Sequence, residues 1–126
     1  MKTIKQTYHI NSSLILVWDA LTNPNTIKKW GGGPAKIDDK VGTKFTLWGG
    51  DVYGKNRLVI KHKLLVQEWY GGKWAKPSKA TFTLKEKNKG VIVALLHENV
   101  PEDEIKDIEE GWKIYYLGPI KELLEE

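Results

Sequence analysis

Apolar and polar residues alternate from Thr3 to Ile10: Ile4, Gln6, Tyr8 and Ile10 fall on one face, Lys5, Thr7 and His9 on the other. A period of two predicts a half-buried strand at or near a sheet edge. The period then changes. Asn11, Ser12 and Ser13 are capping residues, and Leu14, Val17, Trp18 and Leu21 follow at spacings of three and four, one stripe of a helix. Asn23-Pro24 ends that helix, and Pro24 opens a second short one through Ile27 to Trp30, broken by Gly31-Gly32-Gly33 and Pro34. Hairpin punctuation comes next. Gly49-Gly50 separates Phe45 and Leu47 from Val52, and Asn88-Lys89-Gly90 separates Phe82 and Leu84 from Val93 and Leu95. Gly54, inside the strand that begins at Val52, predicts a bulge or sharp bend, and residues 73–77 read as a loop.

After Pro101, the acidic run Glu102, Asp103 and Glu104 suits the positive end of a helix dipole. The helix is predicted to run to about Leu124, with Ile105, Ile108, Trp112, Tyr116 and Leu123 on one face and Tyr115 at its flank. Pro119 removes one backbone donor and should bend its last turns. The sum is an α+β fold: a curved antiparallel sheet of about six or seven strands wrapped around a long C-terminal helix, with two short helices after the first strand.

Composition narrows the rest. A chain of 126 residues matches one ordinary domain, expected over residues 1–126. It contains no cysteine, which excludes disulfides, thiolate zinc sites and a cysteine nucleophile. No apolar run approaches a membrane span and the N-terminus lacks a secretory pattern, so a cytoplasmic location without membrane insertion is expected. The net charge of +4 is unevenly distributed: residues 1–90 carry +11, residues 91–126 carry −7. A basic outer sheet face, with Lys61, Lys85 and Lys87 as candidate contacts, would steer an acidic partner. Specific nucleic-acid binding is not expected, because Arg57 is the one arginine and no recognition motif is present.

Candidate chemistry is sparse. His9, His62 and His97 are far apart and lack spaced carboxylates, so no metal site or cofactor is expected. Ser12, Ser13 and Ser78 stand in no nucleophile-elbow pattern. Six tryptophans and five tyrosines are more than a small core requires, which points to rings lining a cavity or facing a partner as well as filling the interior. Alternation places Gln67 on the inner face with Leu65 and Trp69, and His97 with Val93 and Leu95. Each must be hydrogen-bonded by the protein or orient a ligand in a pocket. The candidate cavity residues are Gln67, Trp69, Phe82, His97, Trp112 and Tyr116. The same alternation turns Glu68 and Glu98 outward, leaving His97 no acid/base partner, so a non-enzymatic binding domain is expected.

Several segments, in this order and spacing, resemble one family along nearly the whole chain. They are Val17-Trp18-Asp19-Ala20-Leu21-Thr22, Lys29-Trp30, Val41-Gly42, Phe45, and Gly49-Gly50-Asp51-Val52-Tyr53-Gly54. Further on come Val66-Gln67-Glu68-Trp69, Thr81-Phe82-Thr83-Leu84, Leu96-His97, Gly111-Trp112, Tyr115-Tyr116 and Ile120-Lys121. They resemble the activator of heat-shock protein 90 ATPase homologue-like domains, of the superfamily that includes START domains and the birch-pollen allergen. The resemblance implies a helix-grip fold with a cavity between sheet and helix. It also implies heat-shock protein 90 (Hsp90) as partner, bound by a co-chaperone domain that does no chemistry. The alternative, read from the interior aromatics and from Gln67 and His97 on the inner face, is a carrier or sensor of a small hydrophobic ligand in that cavity. Ser13-Leu14-Ile15-Leu16 departs from the family's usual polar opening and leaves apolar side chains on a normally solvated helix face.

Overall fold

The computed structural model describes residues 2–126; Met1, the first residue of the expected 1–126 unit, lies outside the described residues. The N-terminal alternation becomes β1 (Lys2–Ile10), an edge strand as predicted. Ser13 then holds extended backbone while its hydroxyl accepts from the Leu16 N–H at 3.2 Å, which starts α1 (Leu14–Thr22). Asn23 ends α1 and caps α2 (Pro24–Trp30), its side chain accepting from the Asn25 N–H at 2.9 Å. Gly31, at φ 104°, closes α2 in the left-handed conformation that glycine adopts without penalty.

The remaining strands are β2 (Lys44–Leu47), β3 (Val52–Ile60), β4 (Leu64–Gly71), β5 (Ser78–Lys87) and β6 (Gly90–Val100). With β1 they form one six-stranded antiparallel sheet in the order β1-β6-β5-β4-β3-β2. Asn88 and Lys89 both hold positive φ between the paired Lys87 and Gly90, a two-residue turn whose twist matches the flanking strands. On the outer face the register aligns Lys55, Glu68, Lys79 and Glu98 across four neighbouring strands. Opposite charges directly across a ladder favour this register over a slipped one.

Of the bulge or sharp bend predicted at Gly54, the bulge lies elsewhere. Gly54 pairs regularly with Trp69, and the register shift falls between Asn56 and Leu58, leaving Arg57 as the extra residue. Gly54 answers a different need: a Cβ there would run into the Glu68 carbonyl of the neighbouring strand. The extra residue at Arg57 reverses the alternation of β3. Asn56 is fully buried, whereas Leu58 and Ile60, two and four positions on, are exposed.

The C-terminal helix lies on the concave face in three parts: α3 (Ile105–Gly111), a wide turn over Trp112–Tyr116, and α4 (Leu117–Leu124). The Leu117 N–H donates to the Trp112 carbonyl five residues back, so the helix carries one extra residue here. Pro119 lacks an N–H to offer the preceding turn, and at Gly118 a Cβ would meet the Lys113 carbonyl. The buried stripe therefore shifts. Trp112 and Tyr116 face the sheet as expected, but Leu117 and Ile120 continue the stripe at zero exposure, while Leu123 is only partly buried. Gln6 fixes this helix to β1 by donating to the Glu109 carbonyl at 2.8 Å, and Lys121 does so by donating to the His9 carbonyl at 2.5 Å. No helix among the described residues is long and apolar enough to cross a membrane.

Candidate functional site

Most of the indole surplus packs the interior. Trp30, Tyr116, Trp112, Trp69 and Trp74 form a continuous ring series with successive centroids 4.8, 4.6, 5.3 and 5.8 Å apart, and Phe82 lies against both Trp112 and Tyr116. Four indole N–H groups are spent within the protein: Trp18 on Asp39, Trp30 on the Ala20 carbonyl, Trp74 on Glu104 and Trp112 on His97.

Gln67 and His97 both face inward at zero exposure. His97 is held on both ring nitrogens. The Trp112 Nε1–H donates to Nδ1 at 3.0 Å, and Nε2 lies 2.7 Å from the Ser78 hydroxyl. Ser78 gives its single hydrogen to the Trp69 carbonyl at 2.6 Å, so Nε2 must be the protonated nitrogen and donate to Ser78. The chain of donors runs from Trp112 through His97 and Ser78 to the Trp69 backbone. Burial lowers the His97 pKa from 6.5 to about 4, which keeps the ring neutral.

A serine hydroxyl 2.7 Å from a histidine nitrogen has the spacing of a nucleophile and its base. The direction of the bonds opposes that chemistry. A base needs an acceptor nitrogen facing the hydroxyl and an acceptor behind the ring, whereas here Nε2 carries the hydrogen and a donor N–H stands behind Nδ1. Ser78 is itself buried. Sequence reasoning missed this role for Ser78, because the residue opens β5 and no alternation precedes it. Gln67 donates to Asn56 Oδ1 at 3.1 Å, and Asn56 passes its own donors to the Asp38 and Lys40 carbonyls at 2.9 and 3.1 Å. Among the described residues no group of three His, Asp or Glu side chains could hold a metal ion.

Of the six candidate cavity residues, the structure brings Trp69, Trp112 and Tyr116 to a groove of about 260 Å³ at the rim of the sheet. Trp48 and Val52 complete one wall, and Ile108, Gly111 and Tyr115 of the helix form the other. Phe82, Gln67 and His97 do not line it. The buried Trp69 N–H and Tyr116 hydroxyl have no hydrogen-bond partner among the described residues, and burial pushes the Tyr116 hydroxyl pKa up. A Cβ at Gly111 would meet only open space.

The candidate contact lysines gather at one end of the sheet. Lys85 and Lys87 lie exposed near the end of β5, and Lys61 occupies the β3–β4 turn rather than the sheet face itself. Lys63, which sequence reasoning did not single out, lies close by, its carbonyl accepting from the Leu84 N–H at 2.8 Å. Lys63 and Lys85 border a surface hollow with Leu64 and with Leu14 of α1, whose neighbours Ile15 and Leu16 are exposed.

Comparison with known proteins gives this arrangement a family. The model of the Activator of Hsp90 ATPase homolog 1-like protein family matches residues 11–125. An activator of 90 kDa heat shock protein ATPase homolog from Dictyostelium discoideum is 29% identical over 123 residues, covering 95% of this chain and 32% of that protein. The chain thus spans about a third of the length of the curated relatives it matches. Among solved structures, an HSP90 activator from Plasmodium falciparum superposes with a TM-score of 0.90 at 23% identity, covering 98% of this chain and 96% of that one. DynU16, a protein in the dynemicin biosynthetic locus, shares the fold with a TM-score of 0.85 at 17% identity, over 99% of this chain and 48% of that one. The helix-grip architecture is therefore common to proteins of different biological settings, while the near full-length match shows that this chain belongs to the Activator of Hsp90 ATPase homolog 1-like family.

Proposed function

We propose that this chain is a protein-docking domain that binds Hsp90 and modulates its ATP hydrolysis, with no chemistry of its own. The observation that carries this reading is the family match over residues 11–125. The interior supports it: both ring nitrogens of His97 are committed to Trp112 and Ser78, and Phe82, Trp112 and Tyr116 pack against one another between sheet and helix. The surface supports it as well, since Lys61, Lys63, Lys85 and Lys87 share one end of the sheet with the exposed Ile15 and Leu16 of α1. A cluster of cations beside apolar side chains suits a partner whose docking surface is acidic with an apolar centre.

The test is calorimetric titration of this chain into Hsp90 from the same source, with ATP present. The combined changes Lys61→Glu, Lys85→Glu and Lys87→Glu are expected to weaken binding at least about tenfold, with a steeper loss at low salt. The three side chains are solvated, so the fold should be unaffected. Unchanged affinity would remove the basic end of the sheet from the docking surface.

One observation favours a second reading, a carrier of a small apolar ligand. Trp69 and Tyr116 line the rim groove and hold a buried N–H and O–H without a partner. The groove's 260 Å³ falls below the roughly 300 Å³ at which pockets for drug-sized ligands begin, so its occupant would be no larger than one or two rings.

A further inference from the structure

We propose that the uncovered edge of β3, residues 57–60, is a docking site for an extended acidic segment of a partner protein, taken up as a seventh strand. β2 pairs with only Val52–Lys55 of the nine-residue β3. The next residue, Asn56, is covered by a loop: its N–H donates to the Thr43 carbonyl at 2.9 Å, and its carbonyl accepts from the Gly42 N–H at 2.8 Å. Beyond Asn56, among the described residues, nothing pairs with β3 on the side away from β4, although the ladder with β4 continues to Ile60 opposite Leu64. The free stretch is as long as β2, which the sheet already holds with four pairs.

The side chains along this edge describe its occupant. The bulge at Arg57 turns Leu58 and Ile60 outward at 46% and 49% exposure, and Val41, adjacent to the covering Gly42, is 61% exposed. These are three of the seven large apolar side chains exposed among the described residues. Basic groups stand at both ends of the stretch: Arg57, whose carboxylate neighbour Glu68 is 3.6 Å away and partly exposed, and Lys61 and Lys63 in the turn. An incoming strand with alternating acidic and apolar residues would meet both features.

A second copy of this chain fits worse. Antiparallel self-pairing about Val59 would set Arg57 opposite Lys61, and like charges directly opposite destabilise a ladder. A bulge and flanking cations are among the devices that keep edges from self-association. The same charges attract a segment of opposite sign, so the edge is guarded against copies and open to an acidic strand. This inference does not depend on Hsp90 being the partner, and its test uses no chaperone.

The probe is a capped heptapeptide of alternating glutamate and valine, titrated into the isotope-labelled chain by amide-shift NMR. Saturable shifts are expected at residues 57–60 and Val41, with amide exchange along this edge slowed at least about tenfold. A peptide N-methylated at alternate positions, unable to complete the ladder, should bind at least about tenfold more weakly, as should a lysine-for-glutamate version. Leu58→Asp should abolish the shifts, and Arg57→Glu provides a second, fully surface variant with the same expectation. Three results would overturn the proposal. They are no shift at about 1 mM peptide, equal binding of the N-methylated peptide, or concentration-dependent protection of this edge in the chain alone, which would assign it to a second copy.

Discussion

Truncating Trp112 to alanine should cost about 4 kcal/mol of folding stability, the largest loss expected of any single change to this chain. Trp112 is 2% exposed and touches the rings of Trp69, Phe82, His97 and Tyr116, with centroids 4.6–5.6 Å away. It also begins the wide turn by which the helix shifts its buried stripe onto Leu117 and Ile120. Removing the indole leaves a cavity at the centre of the helix–sheet contact and strips His97 Nδ1 of its donor. Trp112→Phe weights the two effects differently: most of the packing remains while the hydrogen bond is lost, and the cost should fall to about 1–2 kcal/mol. Urea unfolding midpoints for both variants provide the comparison. A loss below about 1 kcal/mol for the alanine variant would mean that the helix is not seated on the sheet through this ring.

The second large effect is a dependence of stability on pH set by His97. Its folded pKa, about 4, lies below the unfolded value of 6.5, so the unfolded chain binds the proton more readily in that window. Stability therefore rises with pH there. The contribution is fully present above about pH 6.5 and lost progressively down to about pH 4, a span worth about 3 kcal/mol. Acidic side chains titrate in part of the same range, so the measurement is a difference. Unfolding free energies of the native chain and of His97→Gln, which cannot titrate, should converge by about 3 kcal/mol as pH falls from 7 to 4. Parallel curves would mean that His97 is solvated and titrates as a surface histidine does.

β1, the early helices and the β2–β3 and β5–β6 hairpins were legible because their signals are local: alternation in β1, the Ser13 and Asn23 caps, and the Asn88-Lys89 turn all act within a few residues. What sequence reasoning missed depends on contacts from elsewhere in the fold. The β3–β4 turn contains neither glycine nor proline; His62 holds φ 68° there and lies against Trp18, 6.1 Å between ring centroids. Nothing in Lys61-His62-Lys63 announces that conformation. The bulge at Arg57 carries no glycine either, yet it decides which side of β3 faces water, so strict alternation misplaces Leu58 and Ile60. The helix stripe was read on an ideal period of 3.6, and one extra residue between Trp112 and Leu117 moved its second half.

The inward placement of Gln67 and His97 followed from alternation, but their partners did not. Asn56 and Ser78 come from neighbouring strands, and Trp112 comes from the helix, brought into register only by the completed sheet. Of the two alternatives open at the sequence level, the structure gives His97 a protein partner on each nitrogen. Gln67 has one on its amide nitrogen, while its Oε1 has none among the described residues. The lysines at the basic end converge for the same reason: Lys61 and Lys63 precede β4, Lys85 and Lys87 finish β5, and antiparallel pairing sets those two ends side by side.

The central claim, docking to the chaperone, is tested most directly by an amide-shift titration of the isotope-labelled chain with purified Hsp90 from the same source and ATP present. The account predicts saturable shifts concentrated on Lys61, Lys63, Lys85, Lys87 and the exposed face of α1 around Ile15 and Leu16, with the interior ring series unperturbed. No shift at chaperone concentrations well above the micromolar range, or shifts confined to Trp48, Trp69 and Tyr115 around the rim groove, would contradict it.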